Sequence, residues 1–143
     1  MTRTVIVGGP FTGKSTLSLY LRALEDAPVF CGDPRSKVRE AHPGVTYLPE
    51  GLPWGGPGGA AHYVAQEWLP RPGPWIIEGH VMARALALYM EEDRPAPCDR
   101  IIVLTKQYAL HPGFRAVHED MYNRVMSKWL EIAHCFDGIV EVR

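Results

Sequence analysis

Residues 5–16 read VIVGGPFTGKST: a β-branched run, two glycines and a proline, then a glycine, a lysine and two hydroxyl residues. The stretch places the least restricted backbone beside the most restricted one. A hydrophobic core has no use for that combination. Gly8–Ser15 satisfies the pattern G-x-x-x-x-G-K-S/T, whose glycines let successive N–H groups converge on anionic oxygens. The helix that follows points its positive end at the same anion. With Gly near 7% of residues, the pattern arises by chance in about one window in 30,000. Chance is a poor account of it in a chain of 143 residues.

The flanks agree. RTVIVG over 3–8 reads as a buried strand, and KSTLSLYLRALE carries Leu17, Leu21 and Leu24 at helical spacing. The expectation is a nucleotide-phosphate site, with ATP and Mg²⁺ as its ligands. Gly8, Gly9 and Pro10 open the loop, Phe11 and Thr12 continue it, and Gly13 leads into Lys14, Ser15 and Thr16. Lys14 is expected to reach the β- and γ-phosphates, and the Ser15 hydroxyl to hold Mg²⁺.

Further along, PVFCGD, WIIEG and DRIIVLT read as strands, with two weaker candidates at Val45–Leu48 and in GIVEV. Helical patterns cover 60–69, 80–93 and 114–136, and PRSKVREA reads as the start of a polar helix at Pro34. Strands alternating with helices predict an α/β chain: a single three-layer P-loop NTPase domain over 1–143, with a parallel sheet of about five strands and helices on both faces. In such sheets the chemistry gathers at the carboxyl ends of the strands. Gly8, Asp33 and Glu78 all fall there.

Bulk properties narrow the surroundings. Net charge is −1, so no global attraction to nucleic acid exists and a polymeric substrate needs a local basic patch. Cys31, Cys98 and Cys135 are odd in number, widely spaced and without C-x-x-C, which argues for a reducing cytoplasm and against a disulfide framework or a zinc ribbon. No run approaches the length of a membrane span, and no signal peptide is evident, so no membrane partner is expected. Six histidines show no paired ligand spacing.

Three kinds of P-loop protein compete. A guanine-nucleotide switch, the non-enzyme alternative, needs an acid where LTKQYAL offers Tyr108. A mechanical ATPase needs an apolar strand ending in Asp or Asp-Glu, which WIIEG meets only in part. A small kinase fits best. Asp33 is the candidate base for an acceptor hydroxyl, although capping of a helix at Pro34 explains it as well. Glu78 is expected to hold Mg²⁺, through water or directly, or to grip the acceptor. Arg84 and His80 are further substrate candidates. Trp54, in the Gly/Pro loop EGLPWGGPGG, either stacks on a base or pins its loop. Trp68, Trp75 and Trp129 read as core. Residues 106–124 occupy the place of a lid, with Lys106, Arg115 and Arg124 available to neutralise the transferring phosphoryl group. Arg115 and Arg124 are nine apart, roughly 13 Å along one helix and about 180° out of phase, so both face the nucleotide only if the segment bends near Pro112 and Gly113.

The combination of GGPFTGKST, CGDPRSKV, YLPEGLPW, RPGPWIIEGHVMARAL and CDRIIVL resembles small phage-type kinases of the nucleoside- and nucleotide-kinase branch, associated with 5-hydroxymethyluridine in DNA. The resemblance spans most of residues 3–105. It implies ATP and Mg²⁺ at Gly8–Thr16, a catalytic carboxylate at Asp33, acceptor contacts near Glu78 and Arg84, and the host cytoplasm as location. The implied acceptor is the base's hydroxymethyl group in modified DNA; a free nucleoside, nucleotide or other small alcohol is the alternative. Arg35, with Lys37 and Arg39, is the candidate patch for a DNA strand.

Overall fold

Short apolar strands and amphipathic helices alternate along the chain, and the computed structural model, which describes residues 2–10, 12–33, 41–107 and 115–143 and the side chains from Val117 onward in the last segment, resolves them into one parallel sheet. Its elements are β1 (Arg3–Gly8), α1 (Lys14–Glu25), β2 (Val29–Cys31), β3 (Val45–Tyr47), α2 (Ala60–Tyr63), β4 (Trp75–Gly79), α3 (Met82–Met90), β5 (Arg100–Leu104), α4 (Arg115–Ile132) and β6 (Val140–Val142). The spatial order is β3-β2-β4-β1-β5-β6, and every pairing is parallel. Six strands stand where about five were expected. The two weakest candidates both pair, each as a three-residue edge strand. With one neighbour apiece, they need little of the apolar run that marks a central strand.

Strand parity sorts the core into two halves. Ile6, Val29, Ile76 and Ile102 face α1 and pack with Leu21 and Leu17. Val5, Val7, Phe30, Ile77, Ile101 and Val103 face the other way, against Trp68, Met82, Leu86, Val125 and Trp129. The helices thus cover both faces and make three layers. Each fully buried aliphatic or aromatic side chain contributes roughly 1.5–3 kcal/mol, which makes this double-sided burial the main stabilising term. Trp68, Trp75 and Trp129 lie in the core as expected.

One departure from regularity and one side-chain clamp matter. The helix expected over 60–69 begins as α2 but widens to a π-helical turn over Val64–Trp68, closed by Leu69 N–H donating to Val64 O at 3.0 Å. Adjacent residues Trp68 and Leu69 are both buried there. At the other end of α1, Arg100 Nη2 donates to Glu25 at 2.8 Å and to Thr4 Oγ1 at 2.9 Å. That clamp seats the tail of α1 on the sheet and so helps to fix the direction of its N-terminus.

From β1 the chain crosses over β4 to reach β2, whereas from β4 it crosses over β1 to reach β5. The direction of travel reverses between β1 and β4, and the carboxyl ends of these strands form the crevice at such a switch point. Among the described residues no helix is long and apolar enough to cross a membrane. The expected polar helix at Pro34, and Arg35, Lys37 and Arg39 with it, lie outside the described residues, as do Phe11, the Pro112–Gly113 bend and the Arg115 side chain.

Candidate functional site

The turn between β1 and α1 depends on Gly13, whose φ of 85° and ψ of 21° are left-handed values that glycine adopts without penalty. Gly13 has no side chain with which to cap α1, which leaves the helix's first N–H groups suited to an external acceptor. Inside the loop, Gly9 O accepts from Thr12 Oγ1 at 2.8 Å and from Lys14 Nζ at 3.2 Å. Lys14 is only 7% exposed. An ammonium so buried, with a backbone carbonyl as its hydrogen-bond acceptor, is suited to meet an anion entering the loop.

The loop is packed as closely as its glycines allow. A Cβ on Gly9 would stand 2.8 Å from Tyr122 Cα, and one on Gly8 would stand 2.5 Å from Thr12 Oγ1. Tyr122 belongs to α4, and its hydroxyl donates to Thr105 O at the end of β5. Gln107 Nε2 donates to Pro10 O at 3.0 Å and to His118 O at 3.4 Å, tying the loop to the same helix.

Opposite Lys14, two strand ends bring three acidic groups together. The parallel register pairs Cys31 with Glu78, and Gly32 N–H donates to Glu78 O at 2.7 Å. Gly79, at φ 151°, lies so close to Gly32 that an added Cβ would be 3.1 Å from Gly32 Cα. This approach brings Asp33 against the β4–α3 turn, where its Oδ1 accepts from His80 N–H at 2.7 Å. His80 Nδ1 is 3.6 Å from the same oxygen. Lys14, Ser15, Cys31, Asp33, Glu78 and His80 share one cleft of about 710 Å³, which Tyr47, Trp54, and His118 and Met121 of α4 also line.

Burial governs the protonation of this cluster. Glu78, fully enclosed and facing the Asp33 charge, has its carboxyl pushed up to about 7; Lys14 and hydrogen bonds from Cys31 and Ser15 oppose the rise. His80 is pushed down to about 4, chiefly by burial, with Asp33 opposing and Lys14 assisting. Burial, then the carboxylates of Glu78 and Asp33, drive the Cys31 thiol far above its usual range.

These shifts set opposite pH dependences for folding. Glu78 ionises more easily unfolded, so its contribution falls as pH rises from 4.5 to about 7 and is level above. His80 takes up a proton more easily unfolded, so its contribution is lost as pH falls from 6.5 to about 4. Glu78→Gln removes only the first dependence. In chelator, its stability relative to wild type should therefore rise between pH 4.5 and pH 8, by on the order of 3 kcal/mol at about 1.4 kcal/mol per pKa unit. Urea unfolding at the two pH values measures it; a difference that does not change with pH would mean that folding leaves the Glu78 carboxyl at its ordinary value.

Several expected site residues come together and others do not. Lys14, Ser15, Asp33, Glu78, His80 and Trp54 line the cleft, with Trp54 41% exposed at its rim. Arg84 is exposed on α3 and is not among the described lining residues. Arg124 is exposed on α4, also outside the lining, and pairs with Asp120 at 3.0 Å. Thr16 is exposed in the first turn of α1. Sequence reasoning did not select Cys31 or Tyr47. Cys31 carried one usable signal, its two-residue spacing from Asp33 at a strand end; its pairing with Glu78 across 47 residues carried none.

A cation has donors here: Ser15 Oγ lies 3.4 Å from Glu78 Oε1, and Glu78 Oε2 is buried with no hydrogen-bond partner among the described residues. No protein-family model, curated protein or solved structure matches the chain.

Proposed function

We propose that the protein is a phosphotransferase that moves the γ-phosphoryl group of ATP to an alcohol. The observation that carries this reading is that a buried lysine in a glycine loop and a hydrogen-bonded aspartate line the same cleft. The loop amides and Lys14 bind the β- and γ-phosphates, and Lys14 exchanges its bond to Gly9 O for phosphate oxygens. Asp33, oriented by His80 N–H, accepts the proton of the acceptor hydroxyl. The acceptor oxygen then bonds to the γ-phosphorus as the bond to the bridging oxygen breaks, and ADP leaves with that oxygen. The buried Glu78 oxygen, without a partner among the described residues and near the Ser15 hydroxyl, fits Mg²⁺, which when bound neutralises charge on the phosphate oxygens. Lys106, Arg115 and Arg124 remain the candidates for cationic help from the 106–124 segment.

The preferred acceptor is the 5-hydroxymethyl group of modified uridine in DNA. The resemblance in CGDPRSKV and RPGPWIIEG supports it, as do the aromatic walls at Tyr47 and Trp54, which suit a planar base. A net charge of −1 and a cleft of about 710 Å³ favour the second reading, a free nucleoside, nucleotide or similar small alcohol. Incubation with γ-labelled ATP separates the two. Label is expected on hydroxymethyluracil-containing DNA and not on thymine DNA. Label confined to free nucleosides or nucleotides would establish the small acceptor instead.

A further inference from the structure

We infer that Cys31, Asp33 and Glu78 form a site for a borderline-soft divalent cation of the zinc type, with the Cys31 sulfur as a direct ligand. Cys31 Sγ and one carboxylate oxygen from each acid lie within 4.8 Å of one another. Glu78 is 2% exposed, and its Oε2 has no hydrogen-bond partner among the described residues. A buried acceptor left in that state calls for a ligand. Backbone geometry, not chance side-chain placement, assembles the set. The β2–β4 register sets Cys31 beside Glu78, and His80 N–H holds Asp33 at 2.7 Å.

The donor set points to the ion. Carboxylates and water alone suit Mg²⁺, whereas a thiolate among them shifts preference toward zinc and cobalt. Donors around a tetrahedral ion, at bonds of about 2.0–2.3 Å, lie roughly 3.3–3.8 Å apart, so the three groups need to draw in by up to about 1.5 Å. The ion replaces the thiol proton, which passes to solvent. Lys14 is the one ammonium lining the cleft among the described residues, so a dication there faces three acidic groups and a single opposing charge. The inference stands apart from the phosphotransfer reading but shares two of its groups: an ion held here competes with the acceptor for Asp33 and with Mg²⁺ for Glu78.

The test uses the full chain, stripped with chelator and free of nucleotide, with Co²⁺ as the probe. One equivalent should produce a thiolate-to-cobalt charge-transfer absorption that Zn²⁺ displaces. Cys31→Ser, verified as folded by circular dichroism, should lack that absorption, and Glu78→Gln should bind Co²⁺ at least about 10-fold more weakly. No such absorption in wild type, or an undiminished one in Cys31→Ser, overturns the site; the second outcome would transfer it to Cys98 or Cys135. If Cys31→Ser does not fold, alkylation of Cys31 in wild type decides: Zn²⁺ should slow it more than 10-fold, and an unchanged rate overturns the proposal. A cobalt absorption without phosphoryl transfer to any alcohol removes the kinase reading alone. Transfer without the absorption removes the metal site alone.

Discussion

Lys14→Ala is expected to lower phosphoryl transfer by at least about 10²–10³-fold, the scale on which loss of one preorganised positive or hydrogen-bonding group acts on a developing charge. The ammonium sits inside the loop, 3.2 Å from Gly9 O and 7% exposed. No other lysine or arginine lines the cleft among the described residues, so a replacement charge is not at hand. The side chain also packs under Gly8, where an added Cβ would come within 3.1 Å of Lys14 Cγ. Truncation to alanine therefore removes packing as well as charge. Lys14→Met keeps most of the stem and isolates the charge, so both variants should lose transfer while Lys14→Met retains the wild-type melting behaviour more closely. Single-turnover transfer from labelled ATP measures the effect. A wild-type rate in either folded variant would take the loop out of the chemistry.

A second large loss is expected from Asp33→Asn, about 10²–10⁴-fold, the range of a general base. Asparagine keeps an oxygen able to accept the 2.7 Å bond from His80 N–H, so the β4–α3 turn should hold. It cannot take the acceptor's proton at neutral pH. ATP affinity should stay within a few-fold of wild type because the loop is untouched, and kcat should carry the loss. Asp33 is also one cause of the raised Glu78 carboxyl. Its neutralisation should move the Glu78 titration downward and narrow the pH range over which Glu78 reduces stability. An unchanged kcat would leave Asp33 with only the task of holding the turn, while a parallel loss of ATP binding would place it with the nucleotide.

The hydrogen bond from His80 bears on the capping explanation of Asp33. The carboxylate oxygen is engaged with the turn after β4, far away in sequence. Local spacing could propose a cap at Pro34 but had no means to propose this contact. Cys31 illustrates the same limit. As one of three scattered cysteines it resembled an ordinary buried thiol, yet the strand register sets it beside Glu78. Arg84, named with Glu78 as an acceptor contact, stands on α3, which presents it to solvent outside the described lining of the cleft. Helix phase had already signalled trouble for a pair of cations at 115 and 124, and Arg124 is engaged with Asp120 on an exposed face.

By itself the amino-acid order determined the layers and the loop. Strand alternation, helical spacing, and glycines beside a lysine act over a few residues, and their sterics and hydrogen bonding need no distant partner. What tertiary structure decided was which strand ends became neighbours: Cys31 beside Glu78, Asp33 under His80, and α4 against Gly9. Those juxtapositions depend on the crossover order and register of the parallel sheet, which follow from how the apolar faces pack as a whole. Burial of the acids, and hence their protonation, arises only after that packing is complete.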